Sequence, residues 1–151
     1  MHDTPSKLPR SVARLGYGGL LPFLFLAPAS LLAGYHAPML SDALFAYGAI
    51  ILSFVGALHW GFAMTLSGLS DRQRTASFVW SVIPALVAWP AILLAPPLSG
   101  LLLIAGFVAH YWQDRQLDAN VSLPPWYLPL RFRLTVVASL CLAAGSFAHY
   151  G

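Results

Sequence analysis

Long apolar runs alternate along this chain with short patches that hold every charged residue. No Asp, Glu, Lys or Arg occurs over residues 15–41, 43–70, 75–113 or 134–151, runs of 27, 28, 39 and 18 residues. A hydrocarbon core of about 30 Å is crossed by about 20 helical residues, each rising about 1.5 Å. Each run therefore suits a crossing helix, and the third is long enough for two. Its middle, Ala95-Pro96-Pro97-Leu98-Ser99-Gly100, reads as a turn, because proline lacks the N–H donor and clashes with the preceding helical turn. The pattern predicts an all-α membrane protein, a bundle of five transmembrane helices at about 15–35, 43–67, 76–95, 98–113 and 132–150. Residues 1–14 form a tail, and 15–151 a single five-helix domain.

Composition excludes the soluble alternative. Charged residues are 9% of the chain, against about 25% in a soluble domain. Several wholly apolar helices would have to be hidden inside 151 residues, and a domain that small exposes too much of its chain.

Charge then orients the bundle. With five spans, Lys7, Arg10 and Arg14, then Arg72 and Arg74, then Arg115, Arg131 and Arg133 all fall on one side. The loops on the other side carry His36, Asp42 and His149 but no Lys or Arg. Positive charge stays cytoplasmic, so the N-terminus is cytoplasmic and the C-terminus periplasmic. The 14 residues before the first span are short for a mitochondrial transit peptide and contain Asp3, so a bacterial inner (plasma) membrane is expected. Reading the first run as a cleaved signal peptide, with Ala27-Pro28-Ala29 as the cleavage site, would leave four spans instead. The sequence pI near 9.4 follows from this topology and from anionic lipid head groups, and implies no nucleic acid. The single Cys141 lies in the last span as a small apolar packing residue.

Candidate chemistry lies at the cytoplasmic ends of the spans. Pro22 and Pro28 predict a kinked first span. In the second, Ala49, Ser53, Gly56, Trp60, Ala63 and Ser67 form one seam, mostly of small residues, that lets a neighbouring helix approach closely. His59 lies beside this seam, and an ionisable residue inside a span costs desolvation. The fourth span ends with His110, Asp114 and Asp118 at i, i+4 and i+8, a shared face on which a carboxylate accepts a ring N–H. Tyr111 and Trp112 fit an interfacial aromatic belt. The segment Leu123-Pro124-Pro125-Trp126-Tyr127-Leu128-Pro129-Leu130 predicts a stiff, partly non-helical interfacial stretch before Arg131. His59, His110, Asp114 and Arg131 fall at similar depth, so the spans predict their convergence.

Three segments carry a family resemblance: Leu15 to Phe23, Gly56-Ala57-Leu58-His59-Trp60-Gly61, and Trp126 to Thr135. Together they resemble an uncharacterised family of small bacterial membrane proteins that includes the eukaryotic mitochondrial transmembrane protein 69. The resemblance implies a multi-pass membrane protein and points to His59, Trp60, Gly61, Trp126, Tyr127, Arg131 and Thr135. It implies no reaction.

Three function classes follow. The first is a non-enzymatic binding protein for a hydrophobic small molecule or lipid at the cytoplasmic leaflet, using His59, Trp60, His110, Asp114, Trp126, Tyr127 and Arg131. The second is a redox protein, with haem between His59 and His110 or a divalent metal on His59, His110, Asp114 and Asp118. The third is a structural or assembly subunit, paired with another membrane protein or a second copy of itself. No catalytic constellation stands out.

Overall fold

The computed structural model describes residues 7–148. The first six residues of the expected tail and the end of the fifth span, with His149, lie outside the described residues. Within them the chain is wholly helical: α1 (Arg10–Gly18), α2 (Leu21–Leu32), a 3₁₀ turn (Gly34–His36), α3 (Ala37–Thr65), α4 (Asp71–Ala91), α5 (Pro96–Asn120) and α6 (Tyr127–Phe147).

Prolines set several of the boundaries. Pro22 offers no N–H to the Gly18 carbonyl, and the first apolar stretch breaks at Gly19-Leu20 into α1 and α2. The Tyr47 hydroxyl donates to the Gly19 carbonyl at 2.9 Å, partnering a carbonyl at the break. A second break follows at Gly34, whose φ of 52° is the left-handed region open to glycine. The Pro-Pro pair is not the turn that the sequence predicts. The chain reverses over residues 92–95, and Pro96 and Pro97 open α5, where a missing N–H costs nothing. Likewise Pro129 sits in the first turn of α6, so half of the segment expected to be irregular is helix.

Caps fix the hairpin between α3 and α4. The Ser70 hydroxyl accepts from the Gln73 amide at 3.3 Å, and the Gln73 side chain accepts from the Ser70 amide at 2.9 Å. Arg74 donates to the Ala63 and Leu66 carbonyls at the end of α3, satisfying acceptors that the helix end leaves open.

Helix α3 is the centre, packed against α2, α4, α5 and α6. Its 29 residues span about 43 Å. Phe23, Leu44, Leu52, Leu103, Phe107 and Leu142 form the core. The exterior is apolar too: Phe25, Ile50, Phe54, Trp89, Leu101 and Leu140 are exposed. The stretches Arg10–Leu32, Gly34–Thr65 and Tyr127–Phe147 are long and apolar enough to cross a membrane. By the same criterion α4 and α5 are too polar. One opens on Asp71-Arg72-Gln73-Arg74, and the other closes on residues 113–120.

The seam expected on α3 is largely present. Ala49, Gly56 and Ala63 are buried, and a Cβ on Gly56 would lie 2.7 Å from Pro84 Cγ on α4. Ser67 lies beyond the helix end.

Candidate functional site

Asp114, fully buried on α5, is the hub of the bundle. His59 on α3 donates Nε2–H to its Oδ1 at 2.9 Å, and the Tyr127 hydroxyl donates to the same oxygen at 3.3 Å. Arg131 on α6 donates Nε–H to Oδ2 at 2.9 Å. One carboxylate thus ties together three helices. Each partner is buried, so none of these bonds competes with bulk water.

Helix α4 reaches the hub through His110. Trp80 donates its indole N–H to His110 Nδ1 at 3.0 Å. Indole is a donor only, so Nδ1 is unprotonated and the neutral ring carries its proton on Nε2. That Nε2–H lies 3.7 Å from Asp114 Oδ1, beyond a hydrogen bond, and has no other partner. It still adds a fourth positive edge to the carboxylate's surroundings. Trp80→Phe removes the donor and leaves Nδ1 buried without one. The expected loss is about 1–3 kcal/mol of stability, read by thermal unfolding in detergent beside Trp89→Phe, an exposed tryptophan on the same helix.

Two cavities flank the hub. A polar one of about 180 Å³ is lined by His59, Gln73, Ser77, Gln113, Gln116 and Asn120. An apolar one of about 110 Å³ lies among α1, α2, α3, α5 and α6, lined by Leu20, Phe23, Val55 and Phe107 with Arg131 and Thr135. Arg131 Nη2 and Thr135 Oγ1 are buried with no hydrogen-bond partner. Unpaired buried donors are rare in folded proteins because each forfeits its hydration.

The cofactors that the sequence suggests do not fit these residues. His59, His110 and Asp114 offer atoms within 4.8 Å of one another, close enough to share an ion. His110, however, turns a protonated Nε2 towards the site, where a ligand needs a lone pair. Asp118 is elsewhere, its Oδ1 accepting from the Leu123 amide at 2.9 Å. The charges of Asp114 and Arg131 already cancel, so a divalent ion would leave two uncompensated charges in a buried cluster. Haem fails on geometry. The His59 and His110 rings meet edge to face with centroids 5.0 Å apart, leaving no slot for a macrocycle between them.

The family model described as protein of unknown function (DUF3429) matches residues 8–147. The chain belongs to this family. The DUF3429 chain is 33% identical to Transmembrane protein 69 of Xenopus tropicalis over 138 residues, 89% of this chain and 53% of the relative. It is 29% identical to Transmembrane protein 69 of Mus musculus over 136 residues, 86% of this chain and 53% of that one. The chain thus spans about half the length of the curated relatives it matches. No solved structure matches it. The resemblance read from the three sequence segments is therefore correct.

Of the sequence candidates, His59, His110, Asp114, Tyr127 and Arg131 come together. Trp60 does not. It is half-exposed, with its ring on Phe78 of α4 at 4.8 Å. Trp126 meets Tyr127 edge to face, centroids 6.2 Å apart, outside the hub, its Nε1 buried without a partner. Sequence reasoning missed Trp80, on α4. Thr135 is marked only by the resemblance. Neither position has a local signal for its role, since each is defined by a partner on another helix or by a cavity.

Proposed function

We propose that this DUF3429 protein crosses the bacterial inner membrane five times, N-terminus inside, and binds a hydrophobic small molecule beside the hub at the cytoplasmic end. The observation that carries the binding reading is the apolar cavity of about 110 Å³ beside the hub, lined by Leu20, Phe23, Val55, Phe107 and Ala138 with Arg131 and Thr135. Such sites are mostly apolar, with a few polar groups that fix orientation.

The topology rests on charge and connection. Arg133 on α6 bonds the Tyr17 hydroxyl near the end of α1 at 3.2 Å, and Arg74 caps the end of α3, while Arg10 and Arg14 lie on α1 and Arg131 and Arg133 in the first turns of α6. Helices α4 and α5 cross as the second hairpin layer, their polar ends on the cytoplasmic side. Reporter fusions after residues 70 and 122 are expected to read cytoplasmic, and fusions after residue 38 or at the C-terminus periplasmic. A cytoplasmic C-terminus would remove the five-span reading.

Thr135→Val deletes an unpartnered hydroxyl, so the melting temperature should hold or rise, because a buried polar group without a partner costs about 1–3 kcal/mol. Ala138→Leu tests the cavity: it places a larger side chain in the lining and should weaken binding of the probe 2-decanone, followed by native mass spectrometry from nanodiscs. Unchanged binding in a folded Ala138→Leu variant would sink the site.

A further inference from the structure

We propose a second, separate site: the polar cavity of about 180 Å³ binds a small neutral carboxamide, which donates to the free ring nitrogen of His59. The hub fixes the tautomer of His59. Its Nε2 lies 2.9 Å from Asp114 Oδ1, and a carboxylate paired with Arg131 only accepts, so Nε2 carries the proton. Nδ1 keeps a lone pair that takes no hydrogen bond among the described residues. His59 is only 2% exposed. Unlike His110 Nε2 and Thr135 Oγ1, however, its Nδ1 is not sealed from accessible space, so it opens on the cavity that His59 lines. The same holds for the hydroxyl of Ser77 on α4, a residue 7% exposed that lines the same cavity. Two deeply buried side chains thus leave unmet polar atoms open to one space.

The walls select the ligand. No Asp, Glu, Lys or Arg among the described residues lines this cavity, so a charged guest finds no counter-charge. Bonds already made assign roles to the wall side chains. Asn120 donates Nδ2–H to the Gln116 carbonyl at 2.9 Å, with Oδ1 left to accept. Gln73 Oε1 accepts from the Ser70 amide at 2.9 Å, with Nε2 left to donate. With His59 Nδ1 the cavity therefore has two acceptors and one donor to satisfy. A primary carboxamide is the complement, two N–H donors beside one carbonyl. Gln113, Gln116 and Ser77 can each donate or accept and suit either neighbour. Gln116 and Asn120 are exposed near the end of α5, so the guest enters from the polar end of the bundle. This cavity shares no lining residue with the apolar one, and the two sites stand or fall separately.

The experiment titrates the isotope-labelled full chain in neutral-lipid nanodiscs, at mildly alkaline pH, with propionamide, propionate and propanol. Histidine ring-nitrogen NMR is the readout, with the rings assigned through their sequence neighbours. The expected spectrum shows an unprotonated His59 Nδ1 whose resonance moves upfield as propionamide is added, while the His110 signals stay in place. Propionamide should bind about threefold or more tightly than propanol, the range of one further hydrogen bond, and propionate should not bind. Asn120→Ala removes a wall acceptor at an exposed position and should weaken propionamide about threefold without moving the ligand-free His59 signals. A proton on His59 Nδ1, or a His59 resonance that propionamide leaves unmoved, overturns the site. Equal or tighter binding of propanol or propionate overturns the carboxamide assignment, as does full affinity in Asn120→Ala. The ranking of the three probes on the parent chain decides the matter even where the variant does not fold.

Discussion

Asp114→Asn is expected to be the most damaging single substitution in the chain. The amide still accepts from His59, but Arg131 loses its counter-charge while buried. Breaking a buried pair from one side costs about 3–5 kcal/mol, because the remaining charge has neither water nor partner. For a protein of this size that is a fall in melting temperature of order 10 °C. Cys141 provides the readout: it is the only cysteine and is buried, so a thiol-reactive dye reports its exposure on unfolding. The double variant Asp114→Asn/Arg131→Gln should recover more than half of the loss, because it removes both charges together. A single variant as stable as the parent would show that the pair is wet, and the hub would lose its meaning.

Gly56→Leu should come next. A Cβ there would lie 2.7 and 2.8 Å from Pro84 Cγ and Cβ. The proline ring is fixed to the backbone of α4 and cannot turn aside, so the two helices must separate. Overpacking of this kind costs about 1–3 kcal/mol, and α3 with α4 is the most extensive helix pair in the bundle. Gly61→Leu is the matched control on the same helix, since a Cβ added there would meet nothing within 4 Å. Thermal unfolding of the two variants should differ sharply. Equal loss would point to helix propensity or lipid contact, and equal tolerance would place Gly56 away from α4.

The hub also explains how a chain so poor in charge specifies one packing. Apolar side chains gain little by choosing one helix partner over another when lipid is equally apolar. Directional bonds discriminate. Asp114 can satisfy His59, Tyr127 and Arg131 together only when α3, α5 and α6 hold one register, and Trp80 extends the same demand to α4 through His110. Three polar groups in or beside this network stay unpartnered: His110 Nε2, Arg131 Nη2 and Thr135 Oγ1.

Much of this is written in the chain itself. Apolar run length sets the helical class, and the split of the 39-residue run is legible to within a few residues, because proline acts on its own backbone. The approach of α3 to α4 at Gly56 is legible too, since small residues at helical spacing act through a local face. Depth along the spans foretells the meeting of His59, Asp114 and Arg131. Rotation about each helix axis does not follow from depth. Trp60 and His59 are neighbours in sequence, yet one packs outward on Phe78 and the other inward on Asp114. An unbroken apolar surround gives too weak a periodic signal to say which way a side chain turns. The bond from Trp80, the tautomer it imposes on His110 and the cavity beside Thr135 belong to the tertiary structure alone. Each exists only where side chains from separate helices meet, 30 residues apart for Trp80 and His110 and 55 for His59 and Asp114, and no local pattern encodes such a meeting.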